Sequence, residues 1–445
     1  MCSVGMACGG GAGRALAEWV IEGEPSMDLW PVDIRRFAKV HNSIRTLRER
    51  SPETLSLHYA ISFPGRQYKT ARNLRLSPLH SRLEKAGAVF SSQMGWERPW
   101  WFNPKGISTH PELSFEKPGW FLLHAQEHEA ARKNVVLIDQ STFGKLIVQG
   151  GDSEKFLQRV CANDISSAHD KVVYTPMLNA HGGYESDLTI MGLADDRFLL
   201  ITGTGQPVRD FNWICSKIKP EEFVSVTDIT GDYAVISVAG PNSRKLLSLA
   251  SPDNFLNEGF SYFTHRNVEI GPAIVRAARL SYTGELGWEL YVPNESAIPV
   301  FDTLNEYGSY LGLKLAGMEA LRSLRIEKGF RAWGHEIGPY DTPFEAGLGF
   351  SVKLNKKVSF LGKEALIKQK KNGINRYLVM LTAKDSEAHA HGGEPIWLNN
   401  KLAGHTTSGT FGHSVGCTVM MGYINCCLLY TSPSPRDATL SRMAG

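Results

Sequence analysis

Apolar positions along the chain follow two periods, helical near the start and alternating further on. The first periodic stretch is 12–22 (AGRALAEWVIE), which puts Ala12, Leu16, Trp19 and Val20 on one helical face, with Gly23 and Pro25 to stop it. Gly9, Gly10, Gly11 and Gly13 just ahead predict a loop feeding this helix, with backbone N–H groups free to meet an electron-rich ligand group. A dinucleotide fingerprint needs a strong strand before the loop and an acidic residue after a second strand; SVGMAC is a poor strand and Pro31 interrupts the next one. The bland alternative is a plain helix cap at a domain edge.

Residues 26–110 are basic, aromatic and poor in strand alternation, and read as solvated charge with tryptophan packing; 105–118 read as a linker. A short helix is expected over 127–133, then strand, turn and strand over 135–152 and a helix over 156–164. Buried strands follow at 197–205 and 233–241, with a helix over 241–251 that opens on proline. Strands and helices alternate to about residue 345, predicting an α+β or α/β unit. From Arg376 the chain turns to short β segments of a small barrel or sandwich, with a hairpin turn at Asn399-Asn400-Lys401. Residues 425–445 break this pattern and read as a non-native tail, the alternative being a natural disordered one.

With 445 residues the chain exceeds a single small core, so two to four domains are expected. A net charge of +3 makes no case for nucleic acid or an anionic membrane surface, and no apolar run approaches the ~18 residues of a membrane span. Seven scattered cysteines without a CxxC pair read as free thiols in a reducing compartment, with no zinc site. The start has neither the basic lead nor the apolar core of a targeting peptide. His124 and His128 lie four apart on a helix; a solvated face explains them better than a metal, because no third ligand is near in sequence.

Three segments carry polar groups where strands and helices should be apolar. In MLNAHGGYESDLTI (177–190) the Gly182-Gly183 turn leads to Asp187, either a turn cap or a carboxylate held toward a ligand. In RLSYTGELGWELYVP (279–293) alternation turns Glu289 away from Trp288 and Leu290, toward water or into a cavity. In ALRSLRIEKGFRAWGHEI (320–337), an amphipathic helix ending near Gly329, Arg325 is either a surface charge or a working one.

The motifs MLNxxGG-Y-x-x-D-L-T-I, SYTGELGWELY and LRxEKGxRxWG, in that order, resemble the folate-binding domain of glycine-cleavage T-proteins as fused in sarcosine and dimethylglycine dehydrogenases. GGGAGRALAEWVIEGEP, DxxRF, RNLRxSPLxxRL and GWERPxWF resemble the end of the FAD domain and the middle domain of the same enzymes. The resemblance covers 1–424 and implies an α+β chain. Its parts would be a remnant of a FAD-dependent oxidoreductase domain (1–36), a middle domain (37–110), a T-protein domain (119–350) and a partial C-terminal β-barrel (351–424). The chain then reads as a piece of a longer protein, begun inside the FAD domain.

The resemblance also implies a set of site residues. Val4, Gly5, Met6, Ala7, Cys8 and Gly9 match the last FAD contact. Asp187 matches the catalytic carboxylate beside the folate nitrogens, with Leu188 and Thr189 lining the same wall. Glu289 matches the residue that reads the pterin edge, and Tyr282, Leu290, Tyr291 and Phe350 match positions packed around the pterin. Arg325 and Trp333 are weaker matches, set further back. T-proteins often carry Asp-Asp where this chain has Ser186-Asp187, so Asp187 is taken as the working carboxylate. The cofactors implied are FAD and tetrahydrofolate, with no metal, and the substrate a small methylamine. Electron-transfer flavoprotein would be the partner and the mitochondrial matrix the location. Two alternatives stay open: the non-catalytic regulatory subunit of pyruvate dehydrogenase phosphatase, and a stand-alone folate-binding aminomethyltransferase module.

Overall fold

Odd and even strand positions part company across two facing sheets, and that division organises the chain. The computed structural model describes residues 5–23, 25–106 and 113–426. The N-terminal region has helices α1 (Gly5–Glu22), α2 (Ile44–Ser56) and α3 (His80–Lys85), and an antiparallel hairpin of β1 (Ala88–Gln93) and β2 (Trp96–Phe102). Next come α4 (Phe121–Lys133), β3 (Val135–Asp139), β4 (Gly144–Gln149), α5 (Ser153–Val160), β5 (Val173–Leu178), β6 (Tyr184–Ala194) and β7 (Arg197–Thr202). They are followed by α6 (Pro207–Ser216), β8 (Ser225–Asp228), β9 (Tyr233–Ala239), α7 (Ser243–Ala250), β10 (His265–Ile270), β11 (Ala273–Ala278) and β12 (Gly287–Pro293). The chain continues through α8 (Ala297–Ser309), β13 (Leu313–Leu315), α9 (Met318–Glu327) and α10 (Lys363–Asn372) to β14 (Arg376–Thr382), β15 (Pro395–Leu398), β16 (Lys401–Gly412) and β17 (Cys417–Asn425).

A six-stranded sheet runs β10-β11-β12-β9-β3-β13, antiparallel but for the β13–β3 pair, and a five-stranded antiparallel sheet runs β5-β6-β7-β4-β8. On the first sheet, Leu137, Ile236, Val238, Trp288 and Leu290 face outward onto α7 and α8. On the second, Leu146, Val148, Leu188, Ile190 and Leu200 face outward onto α5 and α6. Between the sheets, Ile147, Met191, Leu199 and Ile201 meet Val235, Ala278 and Tyr291. The result is helix, sheet, sheet, helix, and the expected α+β class holds. Each large apolar side chain buried in these layers contributes roughly 1.5–3 kcal/mol. A four-stranded sheet, β14-β17-β16-β15, forms the C-terminal unit.

The expected strands at 135–152 exist, but β3 and β4 enter different sheets, so the turn between them is the crossing from one layer to the other. The hairpin turn is as expected: Asn399 and Asn400 have φ of +50° and +62° between paired Leu398 and Lys401, the mirror-image turn that suits the strand twist. Other expectations need correction. The glycine run is helix rather than loop, since α1 begins at Gly5; glycine costs about 1 kcal/mol per helical position relative to alanine but does not forbid helix. Its anticipated apolar face is open too, with Leu16 61% and Val20 76% exposed and Ala15 the buried residue. The region 26–110 hides the β1–β2 hairpin, whose Trp101 stacks on Trp120 while Trp100 packs against both at a tilt, in a satellite core. The expected tail overlaps the fold at its first residues: Asn425 pairs with Arg376 at the end of β17, and residues 427–445 lie outside the described residues.

Gly182 (φ +82°) and Gly183 form the turn that starts β6. A Cβ on Gly183 would lie 1.9 Å from the Pro339 carbonyl oxygen, which is backbone and cannot rotate away. Gly183→Ala is therefore expected to cost about 1–3 kcal/mol, read as a lowered denaturation midpoint; an unchanged midpoint would contradict this packing.

Candidate functional site

β6 carries Glu185, Asp187 and Thr189 on the opposite side from Leu188 and Ile190, because side chains alternate along a strand. Asp187 is half-buried at the inter-sheet face and accepts from the Tyr174 hydroxyl (3.1 Å). Burial pushes its carboxyl up to about 6, opposed by hydrogen bonds from Tyr174 and Gln206. Met191, two residues beyond Thr189 on the same face, packs in the cluster that holds Tyr291. On β12, Glu289 shares that inward face with Tyr291, whose hydroxyl donates to Glu289 Oε2 (2.7 Å). Glu289 is 4% exposed, and burial pushes its carboxyl up to about 7 against the single bond from Tyr291. Of the two sequence readings for Glu289, water or cavity, the structure takes the interior one.

A buried Glu289 carboxyl with one donor, and a half-buried Asp187 carboxyl that burial already shifts, are costly unless something pairs with them. Aromatic groups stand near Asp187: Tyr174 stacks on the exposed Phe350 (centroids 6.3 Å apart), and Tyr282 stacks on Phe330 (5.7 Å) and donates to the Arg331 carbonyl (2.5 Å). Burial raises the Tyr282 hydroxyl, and Asp187 reinforces the shift. These flat rings and desolvated acceptors suit a flat heterocycle that presents N–H donors, so a pterin fits the residues present.

Other expected site residues fall elsewhere. Leu188 and Leu290 turn their side chains into the two outer cores, so alternation removes them from the walls that hold Asp187 and Glu289. Thr189 stays on the Asp187 face. Arg325 is buried and committed, donating to Glu336 Oε2 (2.6 Å), the Phe330 carbonyl (3.0 Å) and Ser408 Oγ of β16 (2.8 Å); it staples the C-terminal sheet to α9. Trp333 lies 5.0 Å under the Arg209 guanidinium. Gly5, Met6, Ala7, Cys8 and Gly9 form the first turns of α1 and are exposed, with open space about Gly5 and Gly9; Val4 lies outside the described residues. These residues alone build no flavin pocket.

The solvated face expected for His124 and His128 is a buried seam instead. His128 bonds Ser323 Oγ (2.7 Å) and Ser414 Oγ (3.0 Å), and His124 Nε2 meets His413 Nε2 (2.8 Å). The turn between β16 and β17 covers them, a long-range contact that helical spacing does not reveal. Among the described residues no group of three or more His, Cys, Asp or Glu side chains is set to hold a metal.

Sequence reasoning missed Tyr174, Gln206 and Asp210. Asp210 is buried behind Asp187 and accepts from Ser186 Oγ (2.8 Å) and the Thr202 hydroxyl, and burial pushes it up to about 7. An acidic residue in a helix's first turn looks like ordinary dipole pairing, so nothing local marks it. A separate cavity of about 420 Å³ is lined by His335, Arg376, His405 and Tyr423 among others; neither Asp187 nor Glu289 lines it. The Arg376 charge there is matched by Asp341 (2.8 Å) and Glu345 (3.3 Å). Chemistry rather than volume therefore selects the inter-sheet site.

The layered fold is that of a T-protein-type α+β domain. Residues 79–356 match the GCVT N-terminal domain, 22–77 the FAD dependent oxidoreductase central domain, and 376–440 the glycine cleavage T-protein C-terminal barrel domain. The chain is 41% identical to 4-methylaminobutanoate oxidase (formaldehyde-forming) of Paenarthrobacter nicotinovorans over 92% of its length and 50% of that protein. It is 37% identical to mitochondrial sarcosine dehydrogenase of Mus musculus, over 95% of its length and 50% of that protein. The crystal structure of the glycine cleavage system aminomethyltransferase T from Bartonella henselae matches with a TM-score of 0.68 at 26% identity, over 79% of this chain and 90% of that one. The chain belongs to the sarcosine and dimethylglycine dehydrogenase family, and it spans about half the length of the curated relatives it matches.

The Glu289 carboxyl has its folded value raised from 4.5 to about 7, so the ionised folded state is disfavoured and the difference is lost as both states protonate. Glu289→Gln without ligand should be the more stable protein above about pH 7, by up to roughly 3 kcal/mol. The gap should close as pH falls toward about 4.5. Denaturant titrations of both proteins across this range check it; a constant gap contradicts the burial argument.

Proposed function

We propose that the inter-sheet site binds tetrahydrofolate and receives a one-carbon unit derived from an N-methyl group of sarcosine or dimethylglycine, giving 5,10-methylenetetrahydrofolate. The observation that carries this reading is the pair of desolvated carboxyls, Asp187 and Glu289, on the facing sides of two sheets. Glu289 accepts from the 2-amino and ring N–H groups of the pterin, a paired acceptor meeting paired donors, and the pairing offsets its burial. Asp187, raised toward neutrality and steadied by Tyr174, moves a proton at the folate nitrogens as the C–N bond forms. Tyr282 and Phe350 stand as aromatic walls for the flat ring.

FAD and tetrahydrofolate are the cofactors of this family, and FAD would supply the two-electron oxidation of the methylamine. Val4 to Gly9 are proposed as part of its binding surface, on resemblance alone. The division of the chain into oxidoreductase, middle, T-protein and barrel parts is proposed likewise. Electron-transfer flavoprotein is proposed as the electron acceptor. A mitochondrial matrix location draws support from the mitochondrial mouse relative.

Two variants test the reading. Asp187→Asn should cut folate-dependent one-carbon transfer roughly 100-fold while folate affinity changes little; an equal yield of methylenetetrahydrofolate would overturn the role. Glu289→Ala should weaken tetrahydrofolate binding roughly 10- to 100-fold, the worth of a charge-assisted pair; an unchanged dissociation constant would overturn the pterin contact. A flavin absorbance band in the protein purified from its source supports amine oxidation, and a colourless protein favours the regulatory or stand-alone folate reading.

A further inference from the structure

The start of α6 grips the strand that carries Asp187. Arg209 is 5% exposed. Its Nε donates to the Glu185 carbonyl (3.2 Å), Nη2 to Glu185 Oε2 (2.6 Å) and Nη1 to Asp28 Oδ1 (3.0 Å). The guanidinium lies over two rings, 5.8 Å from the Trp30 centroid and 5.0 Å from that of Trp333. Gln206 donates to Ser186 Oγ (2.8 Å), and that hydroxyl donates to Asp210. Glu185 and Ser186, the two residues that lead into Asp187, are therefore held from Gln206 and the first turn of α6.

Asp28 is itself fixed: its Oδ1 accepts from Trp30 N (3.1 Å) and its N–H donates to the Tyr340 hydroxyl (3.1 Å). Asp28 and Trp30 lie in the stretch matched by the oxidoreductase central domain, whereas Glu185, Arg209 and Trp333 lie in the T-protein match. A buried guanidinium needs its charge answered, and Arg209 has two carboxylates, one from each region. Its planar fork and its contact with two aromatic faces are features lysine cannot reproduce.

We propose that Arg209 is a positioning residue that sets Asp187 for one-carbon transfer, and that Asp28 completes the hold from the oxidoreductase segment. This rests on the folate reading above. The two regions then meet in one side chain, and loosening either carboxylate lets the start of β6 shift. A misplacement of an ångström at a reacting group is enough to cost about 100-fold in rate.

The test uses the intact chain with a ¹³C label on aspartate carboxyls, observed by NMR across pH, together with tetrahydrofolate binding. Wild-type Asp187 should titrate near 6. In Arg209→Lys and in Asp28→Asn the Asp187 resonance should move back toward the ordinary value of about 4 as water reaches the loosened strand, with overall fold retained by circular dichroism. The double variant should shift it no further than Arg209→Lys alone, because the two act through one contact. An Asp187 titration that stays near its wild-type value in folded Asp28→Asn or Arg209→Lys overturns the proposal, and so do additive shifts. Should Arg209→Lys fail to fold, Asp28→Asn, on the outer side of the clamp, decides alone. Normal transfer by Asp187→Asn would instead sink the folate reading, leaving the clamp measurable as structure.

Discussion

The alternation of side chains along β6 and β12 is the constraint on which the rest depends. A strand turns successive residues to opposite faces, so a carboxylate between two apolar neighbours must point away from the core those neighbours build. Leu188 and Ile190 anchor β6 on α5 and α6, and Trp288 and Leu290 anchor β12 on α7 and α8. With both outer faces fixed, Asp187 and Glu289 have only the space between the sheets. A slip of one residue in either strand would bury the carboxylate in an aliphatic core, so the register that makes the fold also makes the site.

That space buries Glu289 and half-buries Asp187 without filling their capacity to accept. Tyr174 and Tyr291 each give one hydrogen bond, less than a buried carboxylate can accept. Acceptor capacity is left over at both carboxyls, and the proposed pterin, with its N–H donors, would use it. The C-terminal sheet closes the arrangement from one side: Arg325 reaches Ser408, and His128 and His124 reach Ser414 and His413. These contacts explain residues that read along the sequence as surface chemistry or a metal pair.

Much of this is legible in the residues, and the misses have physical causes. Asp187 and Glu289 stand out because a carboxylate inside an apolar alternation has few places to go. The Asn399-Asn400 turn is readable because its backbone needs two positive φ values. Leu188 and Leu290 enter the expected site as parts of whole motifs, although alternation already sends them to the other face. The glycine run misleads because glycine's helix penalty is small beside cooperative helix formation over α1. Tyr174, Arg209 and Asp210 act through contacts across strands and helices, and sequence spacing carries no trace of those.

The central claim is that Glu289 is an acceptor waiting for a pterin. A crystal structure of the chain soaked with 5-formyltetrahydrofolate tests it most directly. The account predicts the 2-amino and ring N–H groups about 2.7–3.1 Å from the Glu289 carboxylate, with the reacting edge of the ring toward Asp187. A pterin seated in the cavity beside Arg376 and Tyr423, with Glu289 untouched, would contradict it.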